Sequence, residues 1–178
     1  MAFQGAFGAF SHEACAALRP DDEAVPFETF EAVIEAILSG DCDAALIPVE
    51  NSSIGPVEPA ATLVRETGLV AVMDVWRPIR HALMAIKGTR LGDLRTVESH
   101  PIALAQCEKT LVELGLEAVV AFDTAGAAQA VAQAGDPSRA ALGPVAAAEV
   151  YGLTILQHDL QDSADNRTRF VLIGPSKG

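Results

Sequence analysis

The sequence predicts an α/β fold in two lobes built on mostly parallel sheets, and three observations predict it. Short apolar strand patterns alternate with helical patterns along the whole chain, as strand-helix-strand units require. The run Ala44-Ala45-Leu46-Ile47 is too continuously apolar for a sheet with one wet face, so that sheet is covered on both sides. Half of the 178 residues are apolar, enough for a packed core that needs no staples.

Residues 2–4 read as a first strand, Gly5 to Phe10 as a loop punctuated by Gly5 and Gly8, and Ser11 as the N-cap of a helix running to about residue 18. A second strand covers 24–27. Thr29 then caps a helix with Phe30, Val33, Ile34 and Ile37 on one face, and Gly40 ends it. A third strand, 43–49, runs into the polar turn Glu50-Asn51-Ser52-Ser53, followed by a helix over 57–67 and strands over 69–75 and 80–86. The chain crosses between lobes at 76–78. The second lobe repeats the pattern, with strands at 96–98, 118–122, 139–142 and 153–157 and helices at 101–114, 124–134 and 144–151. The apolar run Phe170-Val171-Leu172-Ile173 is a closing strand that returns to the first sheet. Lobe 1 is therefore residues 1–77 plus 162–178, and lobe 2 is 78–161.

The formal net charge of −12 provides no positive field for phosphates, which argues against nucleic acid and anionic membranes as partners. No apolar run approaches a membrane span, and Met1-Ala2-Phe3-Gln4 lacks the order of a signal peptide, so a cytoplasmic location is expected. Cys15, Cys42 and Cys107 are odd in number, far apart and outside any Cys-x-x-Cys pair. They read as small buried hydrophobes rather than a disulfide framework, a zinc site or a nucleophile.

In parallel α/β sheets, ligands sit beyond the carboxyl ends of strands. The residues there are the loop from Gly5 to Ser11, Glu50 with Asn51 and Ser52, Ser99 with His100, and Asp123 with Thr124. Taken singly, each also reads as a cap or turn, because helix starts prefer Ser, Thr, Asn and Asp. Pro101 at the first helical position leaves the N–H groups of Ile102 and Ala103 free to face a ligand, with Gln106 on the same face; similar free N–H groups follow Ser11 and Thr124. Asp165-Asn166-Arg167-Thr168-Arg169, just before the closing strand, concentrates hydrogen-bonding side chains where plain turns rarely do. There is no glycine-rich phosphate loop with Lys, the four His are scattered, and although Ser99 adjoins His100, neighbours on a chain rarely face each other as nucleophile and base. What remains is a site in a cleft between the lobes, with the carboxyl of Glu50, several neutral hydrogen-bonders and Arg. That set suits elimination or isomerisation of a small carboxylic acid without a cofactor.

Five motifs in register then carry a resemblance: Pro48-Val49-Glu50-Asn51-Ser52, Ser99-His100-Pro101 with Ala105-Gln106-Cys107, Asp123-Thr124-Ala125-Gly126-Ala127-Ala128, Tyr151-Gly152-Leu153, and Asn166-x-Thr168-Arg169-Phe170. In this order, across essentially the whole chain, they resemble the prephenate dehydratase family. The resemblance implies a two-lobed fold like that of type II periplasmic binding proteins, and a carbon-oxygen lyase that converts prephenate to phenylpyruvate, water and carbon dioxide in phenylalanine biosynthesis, with no metal or organic cofactor. It implies Thr168 as the principal catalytic group on the leaving hydroxyl and Glu50 as a second one; which group supplies the proton stays open, Glu50 being the one carboxyl near Thr168 among the matched motifs. Asn51, Ser52, Ser99, Gln106, Thr124 and Ser11 would surround the substrate, with Arg169 toward a carboxylate.

Two departures from the family pattern stand out. The first loop reads Gly5-Ala6-Phe7-Gly8-Ala9-Phe10-Ser11 and lacks the hydroxyl often found at position 9. Many members also continue into a phenylalanine-binding ACT domain, whereas this sequence stops a few residues after Phe170, so no response to L-phenylalanine is expected within this polypeptide. The alternatives are an arogenate dehydratase, with the same chemistry on the amino-acid analogue, and a non-catalytic module that binds small acids. A homodimer is expected.

Overall fold

In the computed structural model, which describes residues 1–174, the chain divides into two units. The first comprises Met1–Ala6, Ser11–Ile79 and the chain from Asp165 onward; the second comprises Phe7–Phe10 and Arg80–Ala164. The divisions fall two and three residues later than the expected 77/78 and 161/162, and Phe7–Phe10 belongs with the second unit.

The first unit holds strands β1 (Ala2–Gln4), β2 (Val25–Phe27), β3 (Ala45–Asn51), β4 (Gly55–Pro56), β5 (Val70–Pro78) and β11 (Arg167–Gly174), in the order β2-β1-β3-β11-β5 with β4 beside β3. Its two faces are covered separately, as the apolar run in β3 requires. Helices α2 (Phe30–Ser39) and α3 (Ala60–Glu66) pack Val33, Ile34 and Ile37 with Ile47, Val49, Val171 and Ile173. On the other face, Ala14 and Cys15 of α1 (Phe10–Leu18) pack with Phe3, Leu46, Phe170 and Leu172. Residues 170–173 thus alternate between two cores, the period of two that a strand imposes. Thr29 caps α2 by accepting from the Ala32 N–H at 3.1 Å, and Gly40 ends it at φ 82°. Ser11 lies inside the first turn of α1, not at its cap.

The second unit holds β6 (Ala82–Ala85), β7 (Thr96–Ser99), β8 (Glu117–Val120), β9 (Arg139–Gly143) and β10 (Thr154–Gln157), ordered β10-β6-β9-β7-β8. Helices α4 (Pro101–Gln106) and α5 (Glu108–Glu113) cover one face through Leu104, Cys107 and Leu111; α6 (Thr124–Ala134) and α7 (Val145–Tyr151) cover the other through Ala128, Val131 and Ala147. Gly8 serves this packing. Its φ is +88°, and a Cβ there would come within 3.0 Å of the Ala147 Cα, so the glycine loop is a close approach to α7.

Three expectations need correction. The sheets are mixed rather than mostly parallel: β2-β1-β3 and β8-β7-β9 run parallel, but β11 pairs antiparallel with β3 and β5, as β6 does with β9 and β10. Strand β5 continues to Pro78, through the segment expected to cross between lobes, because β11 pairs it along its length. The helix expected over 101–114 breaks at Cys107. Asp162 causes the break: its N–H takes the Gln106 carbonyl at 2.8 Å, and its carboxylate accepts from Lys109 N at 3.0 Å and Thr110 N at 3.3 Å. Both partners of the helical bond from Thr110 to Gln106 are thereby taken.

Strand β5 is an edge strand. Its residues from Val70 to Asp74 are exposed on both faces, and Val72 and Trp76 are 65% and 43% exposed. Among the described residues, no helix is long and apolar enough to cross a membrane.

Candidate active site

Glu50, Asn51, Thr168 and Arg169 were expected just beyond strand ends, yet all four lie within strands. Antiparallel pairing of β3 with β11 extends both, setting Thr168 opposite Asn51 and Arg169 opposite Glu50. Thr168 and Asn51 are both buried. The Asn51 Oδ1 accepts the Ser53 N–H at 2.9 Å, and because a backbone N–H can only donate, this bond fixes which way the amide faces. The Asn51 Nδ2 therefore donates to Thr168 Oγ1 at 2.9 Å and to Asn166 Oδ1 at 3.1 Å. The Thr168 oxygen accepts this hydrogen bond, and its own O–H remains to donate to another acceptor. Asn166 is 2% exposed, and its Nδ2 is buried without a partner.

Ser52, expected to touch substrate, instead clasps the entry to β11. Its Oγ donates to the Asp165 carbonyl at 3.0 Å and accepts from the Arg167 N–H at 2.9 Å, while its own N–H donates to the Arg167 carbonyl at 2.9 Å.

Arg169 was expected to reach for a substrate carboxylate, but two protein carboxylates already hold it. Its Nε lies 2.8 and 3.0 Å from the oxygens of Asp74 on β5, and its Nη1 lies 3.3 Å from Glu50 Oε2 on β3. A guanidinium on a central strand reaches both flanking strands. Its hydrogen bonds to Asp74 and then Glu50 raise the Arg169 pKa, and the same Arg169 bond holds Asp74 below the usual carboxylate range. The Glu50 side chain is 42% exposed, so this carboxylate is not the buried one its place between strands would suggest.

In the second unit, Ser99 ends β7 fully buried, its Oγ donating to the Leu142 carbonyl at 2.6 Å. Gln106 closes α4, its Oε1 lying 2.9 Å from His81 Nε2. The Ile102 N–H, expected to be free, donates to His100 Nδ1 at 3.2 Å. Thr124 opens α6 below the cap Asp123, which takes the Gly126 N–H at 2.6 Å, so only part of the expected row of open donors remains. A Cβ on Gly143 would come within 3.3 Å of the Thr124 Cβ, which is why that strand ends in glycine. Burial pushes the Cys15 and Cys107 thiols up to about 12, as fits packing groups rather than nucleophiles.

Three residues at these positions escaped the sequence reading. Asp74 had a signal, a lone carboxylate in the apolar stretch 69–75. Asn166 lay inside a recognised motif without a role. His81 gave no signal, because its partner is 25 residues away.

This is a mixed α/β, two-sheet protein whose polar residues gather on paired strands and at helix starts. A family profile described as prephenate dehydratase matches residues 1–178, and the chain belongs to that family. It is 40% identical over 172 residues to a bifunctional N-acyl-homoserine lactone acylase/prephenate dehydratase of Komagataeibacter europaeus, covering 97% of this chain and 61% of that protein. It is 42% identical over 173 residues to the chloroplastic arogenate dehydratase/prephenate dehydratase 2 of Arabidopsis thaliana, covering 97% of this chain and 45% of that protein. The crystal structure of a prephenate dehydratase from Arthrobacter aurescens in complex with L-Phe superposes with a TM-score of 0.87 at 30% identity, over 99% of this chain and 60% of that one. The fold is therefore that of the solved prephenate dehydratases, which is periplasmic-binding-protein-like. The chain spans about half the length of the curated relatives it matches, from 45% to 61% of these two.

Proposed function

We propose that the chain catalyses the decarboxylating dehydration of prephenate to phenylpyruvate. The observation that carries this reading is the hydrogen bond from Asn51 Nδ2 to Thr168 Oγ1. Prephenate loses hydroxide from one ring carbon and carbon dioxide from the opposite one; taking up one proton, it yields phenylpyruvate, water and carbon dioxide, with aromatisation as the driving force. The departing oxygen needs a proton or a strong hydrogen bond, and a positioned acid typically contributes about 10²–10⁴-fold. Thr168 is a weak acid, but its oxygen already accepts from an amide, which turns its proton toward the substrate and polarises the O–H. Asn51 acts by orienting Thr168. Arg169, next to Thr168 on β11, projects from the opposite face of the strand, where Asp74 and Glu50 hold it, so these three act on the reaction only by fixing β11.

Purified protein is mixed with prephenate near neutral pH, without added metal, and phenylpyruvate is followed against an enzyme-free control. Turnover that falls at least about 10²-fold in Thr168→Ala, with the fold intact by circular dichroism, is the expected result. An unchanged rate would remove Thr168 from the mechanism. Arogenate is the second substrate to test, because the Arabidopsis relative carries both activities in its name.

The proposal extends to a cytoplasmic homodimer. Three cysteines without disulfide partners fit a reducing compartment, and the uncovered β5 edge offers a surface for a second copy. Sedimentation over a range of concentrations tests the dimer.

A further inference from the structure

His81 is a buried titratable side chain to which the mechanism above gives no work. It is 1% exposed and its backbone is pinned on both sides: its N–H donates to Gln161 Oε1 at 2.8 Å and its carbonyl accepts the Leu160 N–H at 2.9 Å. Phe10 packs against the ring, centroids 5.2 Å apart and planes at 87°. Its Nε2 meets Gln106 Oε1 at 2.9 Å, and its Nδ1 is buried with no partner.

The unpartnered Nδ1 favours the tautomer protonated at Nε2. With the proton on Nε2, the ring donates to the Gln106 carbonyl oxygen and leaves a bare lone pair on Nδ1. With the proton on Nδ1, the ring would bury an unpaired N–H, and orphaned buried donors are rarer than orphaned acceptors. Burial also lowers the pKa of the ring, which keeps it neutral. The consequence falls on Gln106. Its amide cannot turn over, since its NH₂ would then meet the N–H of His81, so the two amide donors face away from His81. Acceptor-only groups, such as the carboxylates of prephenate, need donors opposite them.

We propose that His81 is a positioning residue that holds the Gln106 amide with its NH₂ group toward a carboxylate or keto oxygen of the substrate. The proposal rests on the dehydratase reading and deepens it. Glutamine at position 81 places an amide nitrogen about where Nε2 stands and keeps the donor; asparagine is too short, and leucine has none.

The test is steady-state kinetics on prephenate for the unmodified chain, H81Q, H81N, H81L, Q106L and the double variant H81L/Q106L, with a thermal melt for each. Loss of one hydrogen bond of this kind predicts a KM raised about two- to tenfold in H81L and H81N, with kcat changed less than about twofold and H81Q near the unmodified value. In the Q106L background, H81L should add almost nothing, because the group it positions is gone. Additive effects in the double variant, or equal KM values for H81N and H81Q, would overturn the assignment and leave the dehydratase reading standing. If H81L fails to fold, the H81N and H81Q pair decides alone. Absence of turnover by the unmodified chain would overturn the dehydratase reading and this role with it.

Discussion

The two units hold their polar side chains by different means. In the first, Asn51, Thr168 and Arg169 sit on paired strands, and β11 is bonded on both sides, to β3 and β5, so backbone register places the side chains before any of them interacts. In the second, Gln106 and the start of α5 lie outside the sheet and are held by side-chain bonds, Gln106 by His81 and the Lys109 and Thr110 N–H groups by the Asp162 carboxylate. A ladder survives the loss of one side chain, whereas a lone tether does not. Substitutions in the first unit should therefore separate activity from stability, and those in the second should mix the two.

Reversing the polarity at Asn51 is the severest test. In Asn51→Asp the carboxylate accepts where the amide donated, and the Thr168 proton turns inward to meet it. The expected result is a kcat lower by about 10²-fold with an unchanged KM, while Thr168→Ser, which keeps the hydroxyl, retains most of the rate. A mild effect at Asn51 would mean that register alone positions Thr168.

Asp162→Ala should show the mixing in the second unit. It removes the acceptor for Lys109 N and Thr110 N, at a cost of about 0.5–2 kcal/mol in urea denaturation, and loosens the start of α5 just after Gln106 while the backbone bond from Asp162 N–H to the Gln106 carbonyl stays, so KM for prephenate should rise about twofold as well. Loss of stability without a change in KM would break the link between that tether and the site.

A smaller effect is expected from pH. Burial lowers the His81 pKa from its ordinary 6.5, so below that value the unfolded chain binds a proton that the folded chain refuses. Stability is therefore full above about pH 6.5 and declines as the pH falls from there toward the depressed folded value. Melting temperature against pH should bend downward on the acid side, and H81Q should flatten the bend. Burial also lowers His12, so some slope will remain. The smallest effect belongs to Ser52→Ala, which removes one clasp beside a strand still laddered on both sides, at about 0.5–1.5 kcal/mol with kcat nearly preserved.

Much of this was legible in the residues. The capped helix from Thr29 to Gly40, the two-sided burial signalled by 44–47, and the motif containing Thr168 all followed from local pattern. What escaped lay in partners distant in sequence. Nothing within 101–114 announces the break at Cys107, because Asp162 imposes it. The strand ends around Asn51 and Thr168 read as turns, because polar residues hide a ladder that exists only once β3 and β11 meet. Arg169 looked free for a substrate because Asp74 is 95 residues away.

The open edge of β5 gives Asp74 a second consequence. An unpaired strand with Val70, Val72, Met73 and Trp76 exposed is a template on which further chains can stack, and a charge in its middle is what discourages such growth. The carboxylate that anchors Arg169 is thus also a gatekeeper of colloidal behaviour. A variant designed to release Arg169, such as Asp74→Ala, should come out of solution more readily, so its assay belongs beside a measurement of the soluble fraction. Pairing β5 with its counterpart in a second copy about a two-fold axis would cover the β5 edge of both copies at once.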